Sequence, residues 1–111
     1  MKLAIIGSRN LKIENLEKYL PSGITEIVSG GAIGIDTIAA EYAKKQGIIL
    51  KEFLPEYQKY KKNAPLIRNK QIVNYADEAL IFWNGKSHGT KYTMELFRQA
   101  NKKFTLILLE N

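Results

Sequence analysis

Cysteine is absent from this 111-residue chain, and histidine and tryptophan each occur once. Without cysteine there can be no disulfide, no thiolate nucleophile and no thiolate metal site, and a reducing compartment fits. A lone histidine, His88, cannot build a zinc cage. Any cation would be Mg2+, held by carboxylates and the phosphates of a ligand, and the residues present require no cofactor. Long hydrophobic runs are also missing. The amino-terminal segment Met1–Gly7 carries one charged side chain and too short an apolar stretch for a signal peptide or membrane span, so a cytoplasmic location without a membrane partner is expected. Acids are outnumbered: 17 Lys and Arg against 11 Asp and Glu leave a net charge of +6, which favours an anionic partner or makes a plain basic surface. No internal repeat is visible. A 45% hydrophobic content suffices for one core, so residues 1–111 form a single domain.

Short apolar runs alternate with helical patterns along the chain. Strands are expected at Lys2–Ile6, Glu26–Val28, Ile48–Phe53, Glu78–Trp83 and Phe104–Leu109. Helices are expected near Ile13–Tyr19, from about Gly34 to Gly47, around Leu66–Tyr75 and near Thr90–Asn101. In the second helix Ile35, Ile38, Ala39, Tyr42 and Ala43 share one face, and Gly47 is its stop signal. The last strand is an apolar run of the kind expected when both faces of a parallel sheet are covered. Such alternation demands right-handed crossovers, hence an α/β fold: a Rossmann-like three-layer sandwich on a five-stranded, mainly parallel sheet. With strand order 3-2-1-4-5, the switch point lies between the first and fourth strands, and the loops after them flank the crevice.

Three glycine-rich turns stand where apolar runs end: Gly7-Ser8-Arg9, Ser29 to Asp36, and Asn84 to Thr90. In Gly7-Ser8-Arg9 an amide, a hydroxyl and a permanent cation can meet at one anion, or Arg9 is an ordinary loop charge. In Ser29-Gly30-Gly31-Ala32-Ile33-Gly34-Ile35-Asp36 the glycines permit close approach, and a helix beginning near Gly34 aims unpaired amides outward. The same segment would serve as a tight turn in which Asp36 complements the first helical turn. In Asn84-Gly85-Lys86-Ser87-His88-Gly89-Thr90, the residues Ser87, Gly89 and Thr90 form a second phosphate cradle, or Ser87 or Thr90 is a plain helix cap. His88 is a polar loop residue with no partner for catalysis in view. Trp83 either stacks on a base or closes the sheet core. Asp77 begins or caps the fourth strand.

These turns, with Arg68-Asn69, Ala76-Asp77 and Phe82-Trp83 in the same order, resemble the YspA-like branch of the SLOG superfamily over nearly the whole chain. That superfamily is named for the DNA-processing Smf/DprA proteins and the Lonely Guy phosphoribohydrolases. The resemblance implies a Rossmann-like domain that binds a nucleotide or nucleotide-derived ligand, and a homo-oligomer, in the first instance a dimer. It makes Arg68 a phosphate ligand approaching from the helix before the fourth strand, with Asn69 beside it. The middle turn is similar to the Ser-Gly-x-Ala-x-Gly-Ile-Asp signature of the DNA-processing proteins, which implies single-stranded nucleic acid as another partner. The stretch Tyr57 to Lys70, with five Lys and Arg and interleaved tyrosines, is compatible with that or with a solvated basic face.

The phosphoribohydrolases carry a Gly-Gly-x-Gly-Thr turn with a catalytic glutamate two or three residues beyond. Here Gly89-Thr90 match, Ser87 replaces a glycine, and Glu95 lies five residues beyond Thr90. At about 100 degrees per residue, that displacement swings the carboxylate away from the family's direction. If N-glycosidic cleavage occurs, Asp36 or Glu95 is the candidate catalytic carboxylate, stabilising charge on the ribose and orienting water. The candidate ligand-binding set is therefore Gly7, Ser8, Arg9, Ser29, Gly30, Gly31, Ala32, Gly34, Asp36, Arg68, Asn69, Asn84, Ser87, Gly89 and Thr90. A dinucleotide dehydrogenase is a weaker reading, because its glycine fingerprint follows the first strand.

Overall fold

A computed structural model describes residues 1–110. Its sheet consists of β1 (Lys2–Gly7), β2 (Glu26–Ser29), β3 (Ile49–Glu52), β4 (Glu78–Trp83) and β5 (Phe104–Leu108), all parallel and ordered β3-β2-β1-β4-β5. The helices are α1 (Ile35–Gln46), the single turn α2 (Tyr57–Tyr60), α3 (Ala64–Tyr75) and α4 (His88–Gln99). This is the expected strand order and fold class.

The two-residue period of β1 divides the core. Leu3 and Ile5 join Ile27, Leu80, Phe82 and the α1 residues Ile35, Ala39 and Ala43 on one face. Ala4 meets Val28, Ile81, and Ile72 and Phe97 from α3 and α4 on the other. Tyr19 packs edge-on against Phe82, with ring centroids 5.2 Å apart. Asp77 caps rather than binds: its carboxylate accepts the Lys2 amide at 2.8 Å, fixing the start of β1 beside β4.

Three local expectations differ from the structure. The helix expected at Ile13–Tyr19 is reduced to a short 3-10 turn at Leu16–Tyr19, because Asn15 takes a left-handed conformation (φ 56°) and leaves too few residues to nucleate an α-helix. Between the expected strand at Ile48–Phe53 and the expected helix around Leu66, where no element is expected, the chain forms α2 and a 3-10 turn at Lys61–Asn63. The last strand is not covered on both faces: β5 is an edge strand, and Leu106 and Leu108 are 40% and 64% exposed.

Parallel register sets the site. Gly7 pairs with Phe82 and Ser29 with Glu52, so the turns after β1, β2 and β4 all leave the same end of the sheet.

Candidate functional site

A cavity of about 170 Å³ opens at that end, bordered by all three turns and by α3. From the first turn come Gly7, Ser8 and Arg9; from the second, Gly30, Ala32 and Asp36. The third contributes Ser87, Gly89 and Thr90, and α3 contributes Arg68 and Asn69.

Ser8 ties the first turn to the third. It is 2% exposed, its amide donates to the Phe82 carbonyl at 3.1 Å, and its Oγ accepts the Asn84 amide and pairs with Thr90 Oγ1, each at 3.4 Å. Asn84 folds the third turn from within, its Oδ1 accepting the amides of Lys86 and Ser87 at 2.9 Å each. Ser87 is the N-cap of α4, its hydroxyl accepting the Thr90 amide at 3.4 Å, while Trp83 braces the turn by donating its indole N–H to the Ser87 carbonyl at 2.9 Å. The indole thus supports the loop from the side of the core. The amides of His88 and Gly89, one residue into the helix and two, have no intrahelical acceptor, and the helix dipole adds positive potential there. With the exposed guanidinium of Arg9, this end of the cavity favours an anion.

The second turn has the opposite character. Asp36, 7% exposed, accepts the Ala32 amide through Oδ2 at 3.0 Å. Gly31 donates its amide to Ser29 Oγ at 3.3 Å, so the Gly31 and Ala32 amides are both taken up within the turn. Among the described residues no sealed side-chain nitrogen or oxygen lacks a partner, and the Gly30 amide also reaches the Asp36 carboxylate. Burial pushes the Asp36 carboxyl up from 3.8 to about 6, against the smaller downward pull of the Ala32 amide and the Arg68 guanidinium. Nearby Glu52 pushes it up further. The middle turn presents a carboxylate where amides were expected to cradle phosphate.

Arg68 is committed to holding that turn. Its Nη1 donates to the Gly30 carbonyl and its Nε to Asn69 Oδ1 at 2.8 Å. A Cβ at position 30 would stand 2.7 Å from Arg68 Nη1 and 3.1 Å from Asp36 Oδ2, so a side chain there would displace the Arg68 guanidinium. Burial pushes the Arg68 guanidinium below its ordinary value, opposed by Asp36 and Tyr57, with Arg9 lowering it further. These two bonds use two of its five N–H donors, leaving one on Nη1 and two on Nη2.

Several candidates lie behind the cavity wall. Ser29 is fully buried and donates to the Asp36 carbonyl at 3.4 Å. Gly34 starts α1 at φ 83°, a conformation that suits glycine, and a Cβ on it would collide with the Arg9 carbonyl oxygen. Gly31 and Asn84 shape their turns without lining the space. Glu95 is not among the lining residues and pairs on the surface of α4 with Arg98.

Other lining residues were not read from the sequence. Pro65, Leu66 and Ile72 share a helical face with Arg68 and Asn69, and Thr93 lies one turn beyond Thr90 with its hydroxyl on the Gly89 carbonyl at 3.0 Å. The spacing of three and four residues from recognised positions is the signal that could have found them. Ile6 completes the floor. Among the described residues no group of three His, Asp or Glu side chains converges on a metal position, and no helix is long and apolar enough to cross a membrane. Comparison with family models, curated proteins and solved structures finds no match to this chain.

Proposed function

We propose that the chain binds a nucleotide or nucleotide-derived phosphate ligand at the carboxyl edge of its sheet, acting as a sensor or processing module. The observation that carries this reading is the convergence of Ser8, Arg9, and the amino-terminal end of α4 on the cavity that Asp36 faces. Phosphate belongs at the Arg9 and Gly89 end, where amides and a cation are available. It does not belong against Asp36. At about 170 Å³ the space is below the roughly 300–1,000 Å³ of pockets that engulf drug-sized molecules, so the sugar-phosphate end enters and a base remains at the rim. Exposed Tyr57 and Leu66, the latter lining the cavity mouth, offer surface for such a base. The resemblance of the three turns to the SLOG superfamily supports the same ligand class. Mg2+, if it takes part, arrives with the phosphate.

A second reading is favoured by the burial and raised titration of Asp36. In nucleoside-monophosphate N-glycosidase chemistry, the bond from C1′ to the base breaks with its electron pair leaving on the base. A carboxylate then stabilises the cationic ribose and orients the water that attacks C1′. Asp36, not Glu95, occupies the cavity.

A thermal-shift panel of mononucleotides, dinucleotides and inorganic phosphate tests the main reading. A ligand at about 100 times its Kd stabilises the fold by about 2.7 kcal/mol. Melting unchanged across the panel overturns it. Free base released from a mononucleotide establishes the glycosidase, whereas salt-dependent affinity for single-stranded oligonucleotides alone assigns the site to nucleic acid. A homodimer belongs to the same proposal, with exposed Leu106 and Leu108 on β5 as apolar surface available to it.

A further inference from the structure

The two edges of the sheet are finished differently. β3 presents Lys51 and Glu52, both exposed, with Pro55 just beyond, the residue types by which natural sheets keep an edge from pairing. β5 has no such protection: its sequence Phe-Thr-Leu-Ile-Leu carries no charge and no proline, and Leu106 and Leu108 are 40% and 64% exposed. Its backbone fixes which groups face outward. The Ala79 amide of β4 donates to the Lys103 carbonyl at 3.1 Å, and the Leu109 amide donates to the Trp83 carbonyl of β4 at 2.8 Å. In a parallel pair every second residue turns both its N–H and its C=O to the neighbour, so the odd-numbered residues serve β4 while Phe104, Leu106 and Leu108 turn theirs to the open side. The side chains of those three residues lie on one face, level with Ala79, Ile81 and Trp83.

We infer that β5 pairs antiparallel with β5 of a second copy of this chain, about a two-fold axis through Leu106, joining the two sheets into one. The inference rests on the homodimer reading above, to which it gives a surface and a register, and is independent of the ligand. Outward-facing residues must meet one another, and centring on Leu106 matches Phe104 with the partner's Leu108, each pair exchanging both backbone bonds. Phe104, Leu106 and Leu108 of both copies then form one apolar row. Lys102, its ammonium anchored on the Val73 and Ala76 carbonyls, comes opposite the partner's Glu110. Moving the axis to Thr105 sets Leu108 against Lys102, and moving it to Ile107 sets Phe104 against Glu110. The edge is thus complementary to itself in one register, which favours a second copy over a foreign strand. Antiparallel pairing turns the two cavities to opposite edges of the joined sheet, each complete within its own chain.

The test is sedimentation equilibrium of the full chain over a concentration series, where the mass is expected to rise to twice 12.6 kDa. Leu106→Lys places two ammonium groups face to face on the axis and is expected to weaken association at least about tenfold. A second pair of variants keeps the register testable should that one fold poorly. The chain has no cysteine, so Leu106→Cys and Leu108→Cys each supply a single thiol. Across the axis the Cα atoms at position 106 lie about 5.5 Å apart, whereas those at position 108 lie about 13 Å apart. A thiol reagent spanning about one strand spacing is therefore expected to join Leu106→Cys chains and to leave Leu108→Cys chains single. A monomer at every concentration overturns the inference and the homodimer with it. A dimer that Leu106→Lys leaves intact, or one that cross-links as readily through position 108, overturns the β5 pairing and leaves the homodimer standing.

Discussion

Replacing Asp36 with asparagine should stabilise the fold at neutral pH, although the residue faces the site. Burial raises the carboxyl from 3.8 to about 6. At about 1.4 kcal/mol per pH unit, keeping it ionised at neutral pH costs the folded chain about 3 kcal/mol relative to the unfolded chain. The folded value lies above the unfolded one, so the native state holds the extra proton between them. Stability from this group is thus full below about pH 4 and lost as pH rises through about 6. Asparagine keeps an acceptor for the Ala32 amide, now at 3.0 Å, and carries no charge to desolvate. The variant should therefore gain about 3 kcal/mol at neutral pH, roughly 10 °C in Tm, with the advantage vanishing near pH 4. Urea unfolding from about pH 4 to neutral, taken as variant minus wild type, cancels the titrations common to both. A difference that is constant with pH, or a less stable variant at neutral pH, refutes burial as the dominant influence on Asp36.

Other substitutions probe the remaining parts. Gly34→Ala, forced to φ 83° against the Arg9 carbonyl, should lose about 3 kcal/mol or more in chemical denaturation. Ser87→Ala removes the α4 cap and should cost about 1 kcal/mol, with weaker phosphate binding seen by calorimetry. Arg9→Ala should lower phosphate affinity about tenfold and flatten its salt dependence, because its guanidinium is the less encumbered cation at the cavity. Glu95→Gln should leave ligand affinity unchanged in the same titration, since that side chain pairs with Arg98 outside the cavity.

Strand order and the meeting of the three turns were legible because both follow from alternation. Apolar runs such as Lys2–Gly7 and Glu78–Trp83 mark strands, and right-handed crossovers leave few topologies. Less legible was what each turn presents. A glycine-rich segment before a helix suggests free amides, but Asp36 folds back onto Ala32, and a side chain four residues ahead is invisible to a pattern of glycines. The resemblance implied a place for Arg68 near the crevice; that two of its donors go to Gly30 and Asn69 depends on how α3 packs. The failed helix at Ile13–Tyr19 turned on the backbone of Asn15, and the uncovered β5 on how far the neighbouring layer reaches. Both are matters of tertiary context.

The pairing of Leu3 with Glu78 and of Gly7 with Phe82 also fixes when the site can exist. The end proposed to take the anion joins Ser8 to Asn84 and Thr90, residues far apart in the chain, so closing that loop costs more entropy than forming the local helices. During synthesis, no amino-terminal fragment ending before α4 could hold the ligand proposed above, however well β1 and β2 had paired. Slipping β1 by one residue against β4 would shift the two turns by about 3.3 Å and turn Leu3 and Ile5 to the opposite face. Occupancy by the proposed ligand would therefore report that β1 and β4 have paired in register and that α4 has docked.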